Sequence, residues 1–244
     1  MNALRSYGLL VAWQMLRIRM MLPLAIVVQA LLAVGIVLGF PLLFPEIDRA
    51  TTLYLATAAP TITLITMGLV LVPQVVAQAK TEGSLDFLRS LPVPRLAFLF
   101  ADLTVWLVVI LPGVVFAIVA AELRFGLGMQ VSPLVVPAFV LVALTATSVG
   151  YAIAAVLPPM LANLTTQVLV VFVLMFSPLT FPAERLPDWF ETVHRILPIQ
   201  AMGEVVRGTL ASNAFPLTIG AFLALAAWCA ASFAVTGYVL TRRA

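Results

Sequence analysis

Between Arg19 and Glu46 the chain runs for 26 residues without a charged side chain. Four more such runs follow: 50–79, 103–121, 125–183 and 208–241. An α-helix rises about 1.5 Å per residue, so about 20 apolar residues cross the hydrocarbon core of a bilayer. Nothing else in the sequence constrains the fold as strongly. Each run is long enough for one span, and 125–183 is long enough for two, with Pro158, Pro159 and Asn163 breaking it. The predicted spans are therefore 21–44, 51–78, 96–121, 132–156, 163–181 and 215–240. The rival count is five, with 163–181 only re-entrant. Composition agrees: 63% of residues are hydrophobic and 9% charged, against about 25% charged in a soluble domain. Such a chain cannot hide its apolar surface in a water-soluble core, and it is the opposite of a disordered one. The predicted class is an all-α integral membrane protein, one domain over 1–244.

The flanking charges give an orientation. With six spans, one side carries Arg5, Arg17, Arg19, Lys80, Arg89, Arg95, Arg242 and Arg243. The other carries Arg49, Arg124, Arg185, Arg195 and Arg207, offset by seven acids. Basic loops stay in the cytoplasm, so both termini and the loop 79–95 are expected there. The N-terminus is not read as a cleavable signal, because the apolar run after Arg19 is too long and lacks a small-x-small end. The net charge of +3 is scattered over residues that flank spans, so nucleic acid is not an expected partner.

Three segments outside the spans carry patterns of their own. In 2–19, Leu4, Tyr7, Val11, Met15 and Ile18 form one stripe, with Asn2, Arg5, Ser6 and Arg17 opposite. This predicts a helix lying in the lipid interface; the alternative is a cytoplasmic extension of the first span. In 81–91, Thr81 or Ser84 can cap a short helix, Asp86 suits its first turn, and Pro92 and Pro94 end it. Leu85, Leu88 and Leu91 make one edge apolar, for packing either on the chain's own helix ends or on a partner. In 183–210, Pro187 opens a helix whose Trp189, Phe190, Val193, Ile196 and Leu197 share a face. Pro198 breaks it, and a second piece runs to about Gly208. This predicts either a half-inserted helical pair or a helix on the outer leaflet, with His194 a surface imidazole at the edge.

The chemistry that the residues exclude is equally informative. Lys80 is the only lysine and Ala79 precedes it, so no phosphate-binding P-loop of Gly-Lys type exists. His194 is the only histidine, which excludes a two-histidine zinc site; no metal site is expected. No serine lies in a Gly-x-Ser-x-Gly elbow. Cys229 is the only cysteine, so no intrachain disulfide forms, and mid-span it reads as a small buried hydrophobe. The chain is not expected to be an enzyme. An ion-coupled carrier is also disfavoured, because the span interiors lack ionisable residues. Asp102, near the start of the third span, is expected at the interface or paired with Arg95. Polar groups within spans include Thr61, Thr63 and Thr66, then Thr145, Thr147 and Ser148, then Asn163, Thr165, Thr166 and Gln167. They can line a path or join helices. If this bundle transports anything, another subunit must drive it.

Two local patterns add a resemblance. One is Glu82-Gly-Ser-Leu-Asp-Phe-Leu-Arg-Ser-Leu-Pro-Val-Pro-Arg95 before the third span. The other is Ser177-Pro-Leu-Thr-Phe-Pro-Ala-Glu-Arg-Leu-Pro187 after the fifth, followed by Trp189, Leu197-Pro198 and Val206-Arg207. In this topology the chain resembles the membrane subunit, or permease, of type-2 ABC exporters, a group including bacterial drug, antibiotic and polysaccharide exporters. Ser84 stands where the family more often has Thr, and Pro178 where it often has Gly. The resemblance implies a bacterial cell-membrane complex of two permeases, identical or paralogous, with two separate ATPase subunits that bind ATP and Mg. It implies that Glu82, Gly83, Ser84, Leu85, Asp86, Leu88 and Leu91 belong to a coupling helix at the ATPase interface. It implies outer re-entrant helices over 183–210, with Pro182, Pro187, Trp189, Pro198 and Arg207 as their marks. Spans two and five would line the path of a hydrophobic or amphipathic substrate, with Thr61, Thr145, Asn163 and Thr166 the candidate contacts. The competing readings are a non-transporting scaffold or lipid-modifying subunit, or an ion-coupled carrier.

Overall fold

A computed structural model describes residues 3–43, 49–83, 95–181 and 187–242. Over them the chain is helical: α1 (Ala3–Ile18), α2 (Leu22–Leu43), α3 (Arg49–Thr66), α4 (Val72–Thr81), α5 (Arg95–Phe125), α6 (Val135–Val156), α7 (Pro159–Phe176), α8 (Asp188–Ile196), α9 (Pro198–Leu210) and α10 (Ile219–Arg242). Among the described residues there is no strand. A π-helical turn, Met67–Leu71, joins α3 to α4, so the second predicted span is one run over Arg49–Thr81. Six helical segments are long and apolar enough to cross a membrane. The all-α membrane class and the six-span count both hold, and the fifth segment is a full span-length helix of 18 residues.

The ends follow local chemistry. Leu157 is extended (φ −87°, ψ 151°), as a residue before proline prefers, and α6 stops there. Pro159 then opens α7, since its fixed φ suits a first helical turn and that turn needs no N–H. The break therefore needs only the two prolines. Asn163, expected to share in it, lies one turn inside α7, and the fifth span is Pro159–Phe176 rather than 163–181. At the other end of α7, Ser177 is extended before Pro178. After α5 the backbone turns through Gly126 (φ 56°) and Gly128 (φ 60°), a left-handed region that favours glycine.

Burial ranks the spans. Within Arg49–Thr81 the apolar 18-residue stretch is 83% buried within the chain, against 17% for those of α2 and α7 and 22% for that of α10. The α3–α4 run is thus the core, held between α5 and α6, with α6 also packed on α10 and α9. Tight approach comes from glycine. A side chain on Gly68 would lie 2.5–2.8 Å from atoms of Ala146 and Thr147, so the π-turn and α6 touch backbone to backbone, as small residues allow in bilayers.

The N-terminal helix is separate from the first span, divided from it by a turn at 19–21. It packs on α5, and the Tyr7 and Thr104 hydroxyls lie 2.7 Å apart. Its inward stripe is rotated from the expected one. Ser6, Leu10 and Gln14 are buried, while Tyr7, Val11, Met15 and Ile18 are half-buried. Ser6, expected on the polar face, points inward because α5 rather than a flat lipid surface selects the buried stripe.

Candidate functional site

Proline falls inside the helical runs at Pro60, Pro73 and Pro112 and at the Pro158-Pro159 turn. At Pro73 another helix packs against the freed carbonyl, and at Pro112 and Pro158-Pro159 a side chain from another helix supplies hydrogen bonds. A proline has no N–H to donate and crowds the carbonyl one turn before it. In a bilayer the freed groups must find protein partners, since no water reaches them there.

The first of these three breaks is Pro73. Val72 donates to the Met67 carbonyl in the π register, and the next donor in that register would be residue 73. The Gly68 carbonyl oxygen is left pointing at α6, where it lies in the place a Gly150 side chain would occupy. The second break is Pro112 in α5. The buried carboxamide of Gln29, from α2, inserts there. Its Oε1 accepts from the Gly113 N–H (2.8 Å) and its Nε2 donates to the Val109 carbonyl (3.0 Å). Those are the two groups an unbroken helix would have joined to each other. The third break is Pro158-Pro159, where Lys80 Nζ donates to the carbonyls of Ala154, Ala155 and Leu157.

Lys80 stands at the end of the bundle where the candidate coupling segment begins. Gly83 adopts φ 71° and its N–H donates to the Lys80 carbonyl at 3.4 Å, a left-handed termination that suits glycine. Glu82 accepts from Gln78 Nε2 at 2.7 Å and lies 3.8 Å from Arg17 of α1. Both charged side chains are substantially exposed, so the ion pair orients more than it stabilises. Ser84, Leu85, Asp86, Leu88 and Leu91 lie outside the described residues.

At the same end a cleft of about 520 Å³ opens between α4 and α7, lined by Gln74, Ala77, Gln78, Thr81, Pro159, Asn163 and Gln167. Four carboxamides therefore face one space, reaching about two helical turns from the helix ends. Asn163 is exposed to this cleft, while Thr166 is buried and donates to the Asn163 carbonyl. The other two candidate path threonines are enclosed. Thr61 donates to the Thr57 carbonyl, and Thr145 to those of Leu141 and Leu225, joining α6 to α10. Both are fully buried within the chain. Cys229 is buried beside Ser148. Asp102 is half-buried near Tyr151 and Trp106.

At the opposite end, α8 and α9 are two consecutive short helices. Pro187 caps α8 and Pro198 opens α9; Pro182 lies outside the described residues. Helix α9 is enclosed: Pro198, Met202, Val206, Arg207 and Leu210 are all buried, against α3, α6 and α10. The buried Arg207 donates to the Leu179 carbonyl (3.1 Å) and lies over the Tyr54 ring at 3.4 Å. The Tyr54 hydroxyl donates in turn to the Pro178 carbonyl. The guanidinium so joins α9, α3 and the turn after α7, combining cation–π and hydrogen-bond contacts that lysine could not reproduce.

Helix α8 presents a different face inward from the expected one. Trp189 is 70% exposed and Ile196 69%, whereas His194 is fully buried. His194 stacks on Phe172 (5.6 Å) and meets Phe190 edge-on (4.7 Å). It is not a surface imidazole, because the aromatic end of α7 takes the Phe190–His194 stripe. Burial pushes its pKa below the ordinary value, partly opposed by the Phe176 carbonyl. Trp228 of α10 donates to the Ile196 carbonyl and holds the end of α8.

The sequence reading missed Gln29, Gly150 and the role of Lys80. The available signal was the prolines: each mid-span proline demands a partner, and Gln29 is a lone carboxamide within an apolar run.

A family model described as ABC-2 family transporter protein matches residues 40–238. No curated protein matches the chain at a significant level. The family match takes in the five spans from α3 to α10, the candidate coupling segment and the α8–α9 pair, and with it the chain belongs to the ABC-2 family of transporter proteins.

Proposed function

We propose that this multi-pass ABC transporter membrane subunit is a permease for ATP-driven export of a hydrophobic or amphipathic substrate. ABC ATPase partners go with the family; in this reading two of them bind ATP and Mg and supply the energy, and a second permease, identical or paralogous, completes the path. Residues 81–91 form the coupling helix, and both termini lie on its cytoplasmic side, the side richer in Lys and Arg. The complex sits in a bacterial cell membrane, with α8–α9 at the outer side.

The observation that carries the proposal is the geometry of α4. The most buried span continues through its π-turn as one helical run to Thr81 and on to Glu82-Gly83, the start of the coupling segment. The carboxamide cleft between α4 and α7 opens beside that point. A push on the segment therefore reaches the cleft first through its α4 wall. Amides without charge at its lining favour a neutral polar group attached to an apolar body. Asn163 is the candidate contact that faces this space, and Thr61, Thr145 and Thr166 support the helices around it.

The test is the pair Leu85→Asp and Leu88→Asp. Burying one leucine side chain is worth roughly 1.5–3 kcal/mol, so losing two weakens docking by roughly two or more decades in dissociation constant. The double variant is expected to reach the membrane at normal levels and to lose both its co-purifying ATPase and export. If it still purifies with an active ATPase and still exports, residues 81–91 are not the coupling element.

A further inference from the structure

The ladder of α6 ends with the Leu157 N–H donating to Ile153 at 3.0 Å. The next two donors along the helix would serve the carbonyls of Ala154 and Ala155. Those donors are positions 158 and 159, and both are proline. The sequence thus supplies neither carbonyl with its usual donor one turn on, at the negative end of the helix dipole. Lys80 Nζ, from α4, donates to both and to Leu157. An ammonium with three protons matches three converging acceptors. The chain's only lysine therefore serves as a helix cap supplied by another helix, two residues before Glu82.

We infer that Lys80 is the positioning residue that makes the end of α4 and the α6–α7 turn move as one body. The inference rests on the reading of 81–91 as the ATPase-docking segment. It says which part of the bundle receives the motion. A push at Glu82-Gly83 is delivered through Lys80 to the end of α6 and the start of α7, the far wall of the carboxamide cleft. Without that tie, α4 would move alone, and the cleft would change width at the cytoplasmic end only. The Arg17–Glu82 pair cannot substitute, because it joins α4 to α1 on the exposed side.

The experiment uses the full complex with its ATPase, in a Cys229→Ala background. Spin labels are placed at Thr81→Cys and Met160→Cys, both exposed positions flanking the tie. Distances are measured by pulsed electron paramagnetic resonance without nucleotide and with ATP and vanadate. With Lys80 present, the label pair keeps one narrow distance in both states. In Lys80→Met the nucleotide-free distance stays, but ATP and vanadate shift or split it while ATP hydrolysis continues. Lys80→Arg restores the single distance, because a guanidinium still donates to carbonyls. A Lys80→Met protein that matches wild type in both states overturns the inference. So does a wild-type distance that changes with nucleotide. Broadening already present without nucleotide reduces Lys80 to local helix glue and also overturns it. Failure of the underlying reading shows separately, as a wild-type preparation that carries no ATPase.

Discussion

Replacing Gln29 by leucine tests whether a side chain from α2 completes the backbone of α5. The variant removes a 2.8 Å bond to the Gly113 N–H and a 3.0 Å bond to the Val109 carbonyl. Interhelical hydrogen bonds within bilayers average about 0.6 kcal/mol, with about 1.7 at most. Two of them give a lower estimate of about 1.2 kcal/mol. An orphaned buried backbone group costs about 1–3 kcal/mol, and here two are orphaned together. The expected loss of unfolding free energy is therefore at least about 1.2 kcal/mol, and about 2–6 kcal/mol if both groups stay orphaned. The size alone does not identify the cause, so the informative measurement is a double-mutant cycle with Pro112→Ala. Alanine at 112 lets α5 close its own ladder, with the Gly113 N–H returning to the Val109 carbonyl. Gln29 then has no opening to fill, and Gln29→Leu should cost less than half as much. Unfolding in mixed micelles of increasing dodecyl sulfate fraction, followed by tryptophan fluorescence, measures all four proteins. Gly113→Ala approaches the same rung from the other side. Its methyl would lie 2.8 Å from Thr63 Cγ2 and 2.9 Å from Gln29 Cβ, displacing the amide at similar cost. If Gln29→Leu costs the same with proline and with alanine at 112, within about 0.5 kcal/mol, the amide is not repairing the helix.

Two further perturbations address the π-turn and the outer helix. Gly150→Ala puts a methyl against the Gly68 carbonyl and 3.1 Å from two ring carbons of Pro73, and should cost roughly 1–3 kcal/mol; Gly8→Ala, mid-helix with open space around it, should instead leave the protein as stable or up to about 1 kcal/mol more stable, and an equal loss at both positions would refute the close-contact account. His194 has its pKa lowered by burial among aromatic rings, so undocked α8 binds more protons than docked α8 below the ordinary value of 6.5. Docking is then fully stable above that value and weakens as pH falls below it. Amide hydrogen exchange over Asp188–Ile196 should accelerate on acidification beyond the intrinsic pH effect, and His194→Phe should abolish that excess; an excess that persists in the variant would rule out the histidine as its source.

The outer helix shows where sequence reasoning stops. Amphipathic spacing marks 188–196 as a helix because the period of 3.6 is local. Which stripe turns inward depends on Phe172 and Phe176 of α7, and these rings draw His194 inward rather than leaving it at the surface. The same holds for α1, where contact with α5 rotates the buried stripe onto Ser6, Leu10 and Gln14. Among the path candidates, Thr61, Thr145 and Asn163 look alike along the chain. Only packing separates the two enclosed threonines from the asparagine that faces the cleft.

What the sequence determined by itself is the class, the six spans and their limits to within a few residues. A bilayer asks each segment for one local property, an unbroken apolar run whose backbone bonds close within the run. The prolines at 60, 73, 112, 158 and 159 are just as visible, and each announces a backbone group that its own helix cannot satisfy in the ordinary register. What answers them was decided by tertiary structure. Gln29 reaches Gly113 across 84 positions, and Lys80 reaches Ala154 across 74. Gly150 yields its side-chain space to Gly68 on a neighbouring helix. A missing hydrogen bond is written locally, but its replacement comes from whichever helix packs alongside, and that neighbour is set by the fold as a whole.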